Sequence, residues 1–118
     1  MNLKEIETLQ KEIKQTLSDN KAIDIKSISL KDKTSIADFM IIASGNSSRH
    51  LQALSEIVVD KLKKKGISNC RLEGKDSSEW KLIDGIDIIV HIFHPEKRKF
   101  YDLEKMWSEL IPKERLTI

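Results

Sequence analysis

The chain has 118 residues, a size that fits one compact domain able to bury a core without disulfides or a structural metal. Its 21 basic and 19 acidic side chains leave a net charge of +2, too balanced for a generic nucleic-acid binder, which needs a basic excess to attract phosphate. Cys70 is the single cysteine, which excludes an intrachain disulfide, and no apolar run approaches the roughly 20 residues of a membrane helix. The first residues, MNLKEIETLQKEIKQTL, mix charge with apolar positions and have neither a signal core nor the acid-poor composition of a transit peptide. A cytoplasmic, single-domain protein over residues 1–118 is therefore expected.

Leu3, Ile6, Leu9, Ile13 and Leu17 recur every three or four residues and predict a first helix with one apolar stripe, broken at Ser18-Asp19-Asn20. Ala22–Leu30 reads as a strand with Ile23, Ile25 and Ile28 inward. Lys31–Ser35 is polar and turn-like. Asp38–Ala43 is apolar after its first residue, as in a strand covered on both faces. In Ser44–Ser48, Gly45 suits a sharp transition and Asn46 or Ser47 can cap the next helix. That helix carries Leu51, Leu54, Val58 and Leu62, widened by Ile57, and stops at Lys63-Lys64-Lys65-Gly66. Ile67–Glu73 is a short strand candidate and Gly74–Ser78 a polar loop. Trp80–Phe93 reads as a hairpin ended by Pro95. A last helix is expected from near Tyr101 or Asp102, with Leu103, Met106, Trp107, Leu110 and Ile111 on its apolar face and Pro112 closing it. The order predicts an α/β (α+β) fold: a mixed five-stranded sheet with helices mainly on one face.

The hairpin carries the functional signal. With Asp84 opposite Asp87, Ile83 faces Ile88, Leu82 faces Ile89, Lys81 faces Val90 and Trp80 faces His91. Alternation then puts Ile83, Ile88, Val90 and Ile92 on one side, with Lys81 at its edge. Trp80, Leu82, Asp84, Asp87, Ile89, His91 and Phe93 lie on the other. The aliphatic side belongs against the helices. The mixed side has two readings: a solvent-facing surface that grips a protein partner, with Trp80 as anchor, or the second core of a sheet covered on both faces.

Three blocks, DFMIIASGNSSRH, EG followed by WKLIDGIDIIVHIF, and RKFYDLEKMW, resemble in order and spacing the ribosomal silencing factor S family, also called Iojap-like. The resemblance covers nearly the whole chain. It implies a nucleotidyltransferase-like fold without catalytic residues, and a translational repressor that binds ribosomal protein L-fourteen of the large ribosomal subunit. Bound there, such a protein sterically blocks association with the small subunit; the resemblance also implies a link to large-subunit assembly. It implies partner contacts at Trp80, Leu82, Asp84, Asp87, Ile89, His91 and Phe93 in the hairpin, and at Arg98, Tyr101 and Glu104 around the last helix. Ile86 departs from the glycine or polar residue expected before Asp87. No enzyme activity, cofactor or metal is expected, and the protein is expected as a monomer or homodimer.

Rival chemistries are weaker. An active nucleotidyltransferase needs paired carboxylates for divalent metal beside a Gly-Ser turn, and no Asp-x-Asp follows Gly45–Ser48; Asp60 stands alone within a helix. Plain helix capping accounts for that turn. His91 and His94 have a metal-like spacing but fall on opposite faces of a strand, without a nearby cysteine. Lys61, Lys63, Lys64 and Lys65, with Lys97, Arg98 and Lys99, form a basic cluster. A minor rRNA contact is one reading of it and helix-end electrostatics the other.

Overall fold

The structure, a computed structural model, describes residues 2–30 and 37–98. Helix α1, Leu3–Asp19, begins where the Asn2 side chain accepts the Glu5 backbone N–H at 2.8 Å. Strand β1 is Ile23–Ser29 and β2 is Phe39–Ser44. Helix α2, Ser48–Lys64, is followed by β3 (Arg71–Glu73), β4 (Trp80–Asp84), β5 (Ile88–Phe93) and the single turn α3 (Pro95–Arg98). The expected last helix and the Lys31–Ser35 turn lie outside the described residues.

The five strands form one sheet in the order β1-β2-β5-β4-β3. Only β2 and β5 run parallel; the other neighbours are antiparallel. The stripe Ile6, Leu9, Ile13 and Leu17 of α1 and the stripe of α2 pack on one sheet face, against Ile41, Ala43, Ile83, Ile88, Val90 and Ile92. Ser55 joins Leu51, Leu54, Val58 and Leu62 on the buried side of α2, where Ile57 was expected. Its hydroxyl is satisfied by the Gln52 carbonyl at 2.8 Å, so the polar group is buried at little cost.

The opposite face is also closed. Leu30, Ala37, Met40, Ile42, Leu82, Ile89 and Phe93 form a second buried cluster, with Ile28 and Trp80 packed against it. This is why β2 and β5 are apolar without interruption: each is buried on both sides.

Ile23 departs from expectation, being 41% exposed. Between Ile23↔Ser44 and Lys26↔Ile42, β1 contains one more residue than β2, and Asp24 sits at φ 50. Such a bulge resets the two-residue alternation, turning Ile23 outward while Ile25 stays against the helices and Ile28 faces the second cluster.

Candidate partner-binding surface

The β4–β5 hairpin pairs Asp84 with Ile89, Ile83 with Val90, Leu82 with His91, Lys81 with Ile92 and Trp80 with Phe93. The partners sit two residues further along β5 than the sequence suggested. Gly85 donates its N–H to the Ile88 carbonyl at 2.8 Å, so the loop is Ile86-Asp87 alone. A shift of two preserves side-chain parity, so the two faces contain the expected residues. Ile86 sits at φ 73, with the Asp87 N–H reaching back to the Gly85 carbonyl at 2.9 Å. Asp84 accepts the Ile86 N–H at 2.9 Å, which holds this uncommon γ-turn-like shape for a β-branched residue.

Six of the candidate residues thus form three cross-strand pairs on one face: Trp80–Phe93, Leu82–His91 and Asp84–Ile89. Of the two readings open for this face, the exposure of most of these residues matches the second core rather than the solvent-facing patch. Leu82, Asp84, Ile89, His91 and Phe93 are 0–4% exposed, because both sheet faces are covered. The His91 and Phe93 rings stack at 5.5 Å within this layer. Trp80 and Asp87 remain half-buried, and Ile86 at the hairpin tip is exposed. Arg98 ends α3; Tyr101 and Glu104 lie outside the described residues.

Trp80 is held from behind. The loop after β3 turns at Gly74, whose φ of 77 suits glycine, and a Cβ there would lie 2.7 Å from the Trp80 carbonyl oxygen and 2.8 Å from its ring. Ser77 donates its N–H to the Gly74 carbonyl at 3.0 Å, and its hydroxyl accepts the N–H groups of Glu79 and Trp80. Glu79 then accepts the His94 N–H at 2.7 Å, tying the loop to the end of β5.

Lys81 was expected at the edge of the helix-facing side. It is 3% exposed, and its ammonium donates to the Gly74 carbonyl at 3.0 Å and the Lys75 carbonyl at 2.8 Å. A lysine at a register position otherwise filled by isoleucine and valine was the available sequence signal. Periodicity alone does not say that the side chain can fold back onto a loop.

The rival sites resolve into structural roles. Ser47 caps α2 by accepting the His50 N–H at 3.1 Å. The His50 ring accepts the Asn46 N–H at Nδ1 and lies 2.9 Å from the Asn20 carbonyl at Nε2, an arrangement that assigns the proton to Nε2. It therefore joins the start of α2 to the end of α1. His94 Nδ1 accepts the Glu96 N–H at 3.3 Å. Among the described residues, no group of three or more His, Cys, Asp or Glu side chains is placed to hold a metal ion. Lys61 and Lys65 pair with Glu12 of α1, at 3.5 and 2.9 Å, and Lys64 pairs with Asp60, so much of the basic cluster is answered within the fold. The hydrogen bond from Lys65, reinforced by the Lys61 charge, holds the Glu12 carboxyl below the usual glutamate range. No helix among the described residues is long and apolar enough to cross a membrane.

Comparison with known proteins follows the same lines as the fold. The family described as "Ribosomal silencing factor during starvation" matches residues 3–117. A ribosomal silencing factor of Zymomonas mobilis is 44% identical over 102 residues, covering 86% of this chain and 77% of that protein. A mouse protein named for mitochondrial assembly of the ribosomal large subunit is 34% identical over 95 residues, spanning 78% of this chain and 42% of that longer one. A crystal structure of a Chromobacterium violaceum protein superposes with a TM-score of 0.77 at 37% identity, covering 96% of this chain and 92% of that one.

Proposed function

This chain belongs to the ribosomal silencing factor family, and we propose that it restrains translation by binding ribosomal protein L-fourteen on the large subunit, where its bulk keeps the small subunit from joining. The mechanism is steric occlusion in the cytoplasm, without a chemical step. The docking surface is the accessible margin of the mixed hairpin face. Trp80 is the aromatic anchor and Asp87 a polar rim group; Arg98, Tyr101 and Glu104 are further partner contacts on the strength of the family resemblance alone. Leu82, Asp84, Ile89, His91 and Phe93 form the base that fixes the hairpin rather than the layer that meets the partner.

The observation that carries the proposal is a partly buried Trp80 that keeps some exposure and is backed by a hydrogen-bonded loop, in a chain whose relatives are named for ribosome silencing. A large ring that is already ordered loses little entropy on docking, and rings of this kind dominate interface energies. Removing a central anchor costs about 2 kcal/mol or more, roughly thirtyfold in affinity.

The test is subunit joining with purified ribosomal subunits, comparing the parent with Trp80→Ala and Asp87→Ala. The parent is expected to suppress joining, Trp80→Ala to lose most of that effect, and Asp87→Ala to lose less. Joining that proceeds unchanged with the parent would refute the function. A folded Trp80→Ala that blocks as well as the parent would refute the anchor. Participation in large-subunit assembly is a second reading, favoured by the name of the mouse relative. It predicts accumulation of immature large subunits when the protein is removed from growing cells.

A further inference from the structure

Lys81 sits on the helix-facing side of β4, one residue from Trp80 on the other side. It is 3% exposed, and its ammonium is met by two backbone carbonyls, those of Gly74 and Lys75. Taking an ammonium out of water is costly, and two carbonyl dipoles return only part of its hydration. A position facing this aliphatic cluster would suit leucine or methionine for stability alone. The charge therefore has a local effect to explain, and the geometry locates it. The Gly74 carbonyl is also the acceptor that closes the turn to Ser77, at 3.0 Å. Gly74 is thus clamped from two directions: the ammonium takes its carbonyl oxygen, and the Trp80 indole lies against its α-carbon.

We infer that Lys81 is a positioning residue for Trp80: its buried ammonium locks the Gly74–Glu79 loop behind the indole, so a partner's grip depends on a charge the partner never touches. The inference rests on the proposal that Trp80 is the anchor, and deepens it. Without the ammonium, the loop keeps its Ser77 turn but loses the two bonds that draw Gly74 and Lys75 onto β4. The indole then loses its backing and samples more orientations. Docking must order it again, which lowers affinity while the aliphatic core beneath is unaffected or better packed.

The experiment uses the full chain with Trp107→Phe, which leaves Trp80 as the only tryptophan. Lys81→Met and Lys81→Arg are compared with this parent in two assays: acrylamide quenching of Trp80 fluorescence, and binding to purified large subunits. Lys81→Met is expected to melt cooperatively at or above the parent's temperature. Its Trp80 should quench more readily, and its dissociation constant should rise by about tenfold from lost preorganisation. Lys81→Arg, which restores donors, is expected to recover most of both. A folded Lys81→Met with parental quenching overturns the inference, as does weaker binding without a change in quenching. If Lys81→Met does not fold, Lys81→Gln takes its place under the same criteria. If the parent itself does not bind large subunits, the docking proposal fails, while quenching still decides whether Lys81 holds the loop.

Discussion

Replacing Gly74 with alanine puts a methyl group where three atoms of Trp80 already crowd the backbone, and Gly66 supplies the control. Both glycines have left-handed backbones, φ 77 at Gly74 and φ 89 at Gly66, so each alanine variant carries the same strain of about 1–2 kcal/mol. Alanine also stiffens the unfolded chain, which returns about 0.4–1 kcal/mol in both cases. At Gly66 nothing lies within 4 Å of the new carbon, so Gly66→Ala is expected to cost only about 1 kcal/mol. At Gly74 the carbon would lie 2.7 Å from the Trp80 carbonyl oxygen and 2.8 and 2.9 Å from two ring carbons. Relaxed carbon contacts need roughly 3.5–4.0 Å, and the carbonyl belongs to the β4 backbone and has no rotamer to escape into. Overpacking of this kind adds about 1–3 kcal/mol, for a total near 2–4 kcal/mol. With an unfolding entropy of about 0.25 kcal/mol/K for a chain this long, that lowers Tm by roughly 8–16 K, against about 4 K for Gly66→Ala. Urea denaturation of both variants, with m-values checked for constancy, measures the difference directly. Two variants equal within about 0.5 kcal/mol would refute the tight contact between Gly74 and Trp80.

Three further outcomes follow from the geometry. His50→Ala removes two hydrogen bonds, one within the turn that starts α2 and one that ties α2 to the end of α1, and should destabilise by about 1–3 kcal/mol in a thermal melt; nitrogen chemical shifts placing the ring proton on Nδ1 in the parent would contradict the bridge. Ile86→Gly relieves the positive φ that Ile86→Ala retains, so after the looser unfolded chain of the glycine variant is allowed for it should be the more stable of the two by about 1 kcal/mol in urea; the reverse order would mean the turn is not strained. Glu12 is held ionised by Lys65 and Lys61, with its folded pKa below its unfolded one. Its contribution is therefore complete above the unfolded glutamate pKa and disappears as pH falls through the lower folded value. The stability gap between the parent and Glu12→Gln should be widest near neutrality and close in acid, and a gap independent of pH would show that the ion pairs are not its source.

Much of this molecule was written locally. The three-and-four spacing in α1 and α2 located both helices and the sheet face they cover, because a helix stripe depends only on residues within a few turns of one another. The order of strands along the chain, a helix cap at Asn46 or Ser47 and the division of the hairpin into two faces were legible for the same reason; the structure chose Ser47. Even a hairpin register displaced by two residues left the faces intact, since alternation has a period of two.

What neighbours in sequence could not decide was what lay above each face. The mixed side of β4–β5 reads equally well as a surface or a core; in the fold Leu82 and Phe93 are buried in one cluster with residues distant in the chain, Leu30, Ala37, Met40 and Ile42, and His91 beside them is 3% exposed. The bulge that turns Ile23 outward arises from how β1 meets β2, and the buried Lys81 from a loop that folds back across β4. Sequence alone determined which side chains travel together on a face. Only the tertiary structure decided which of them, Trp80 and Asp87 foremost, stay partly exposed, because burial depends on the whole set of packed elements rather than on the periodicity of any one.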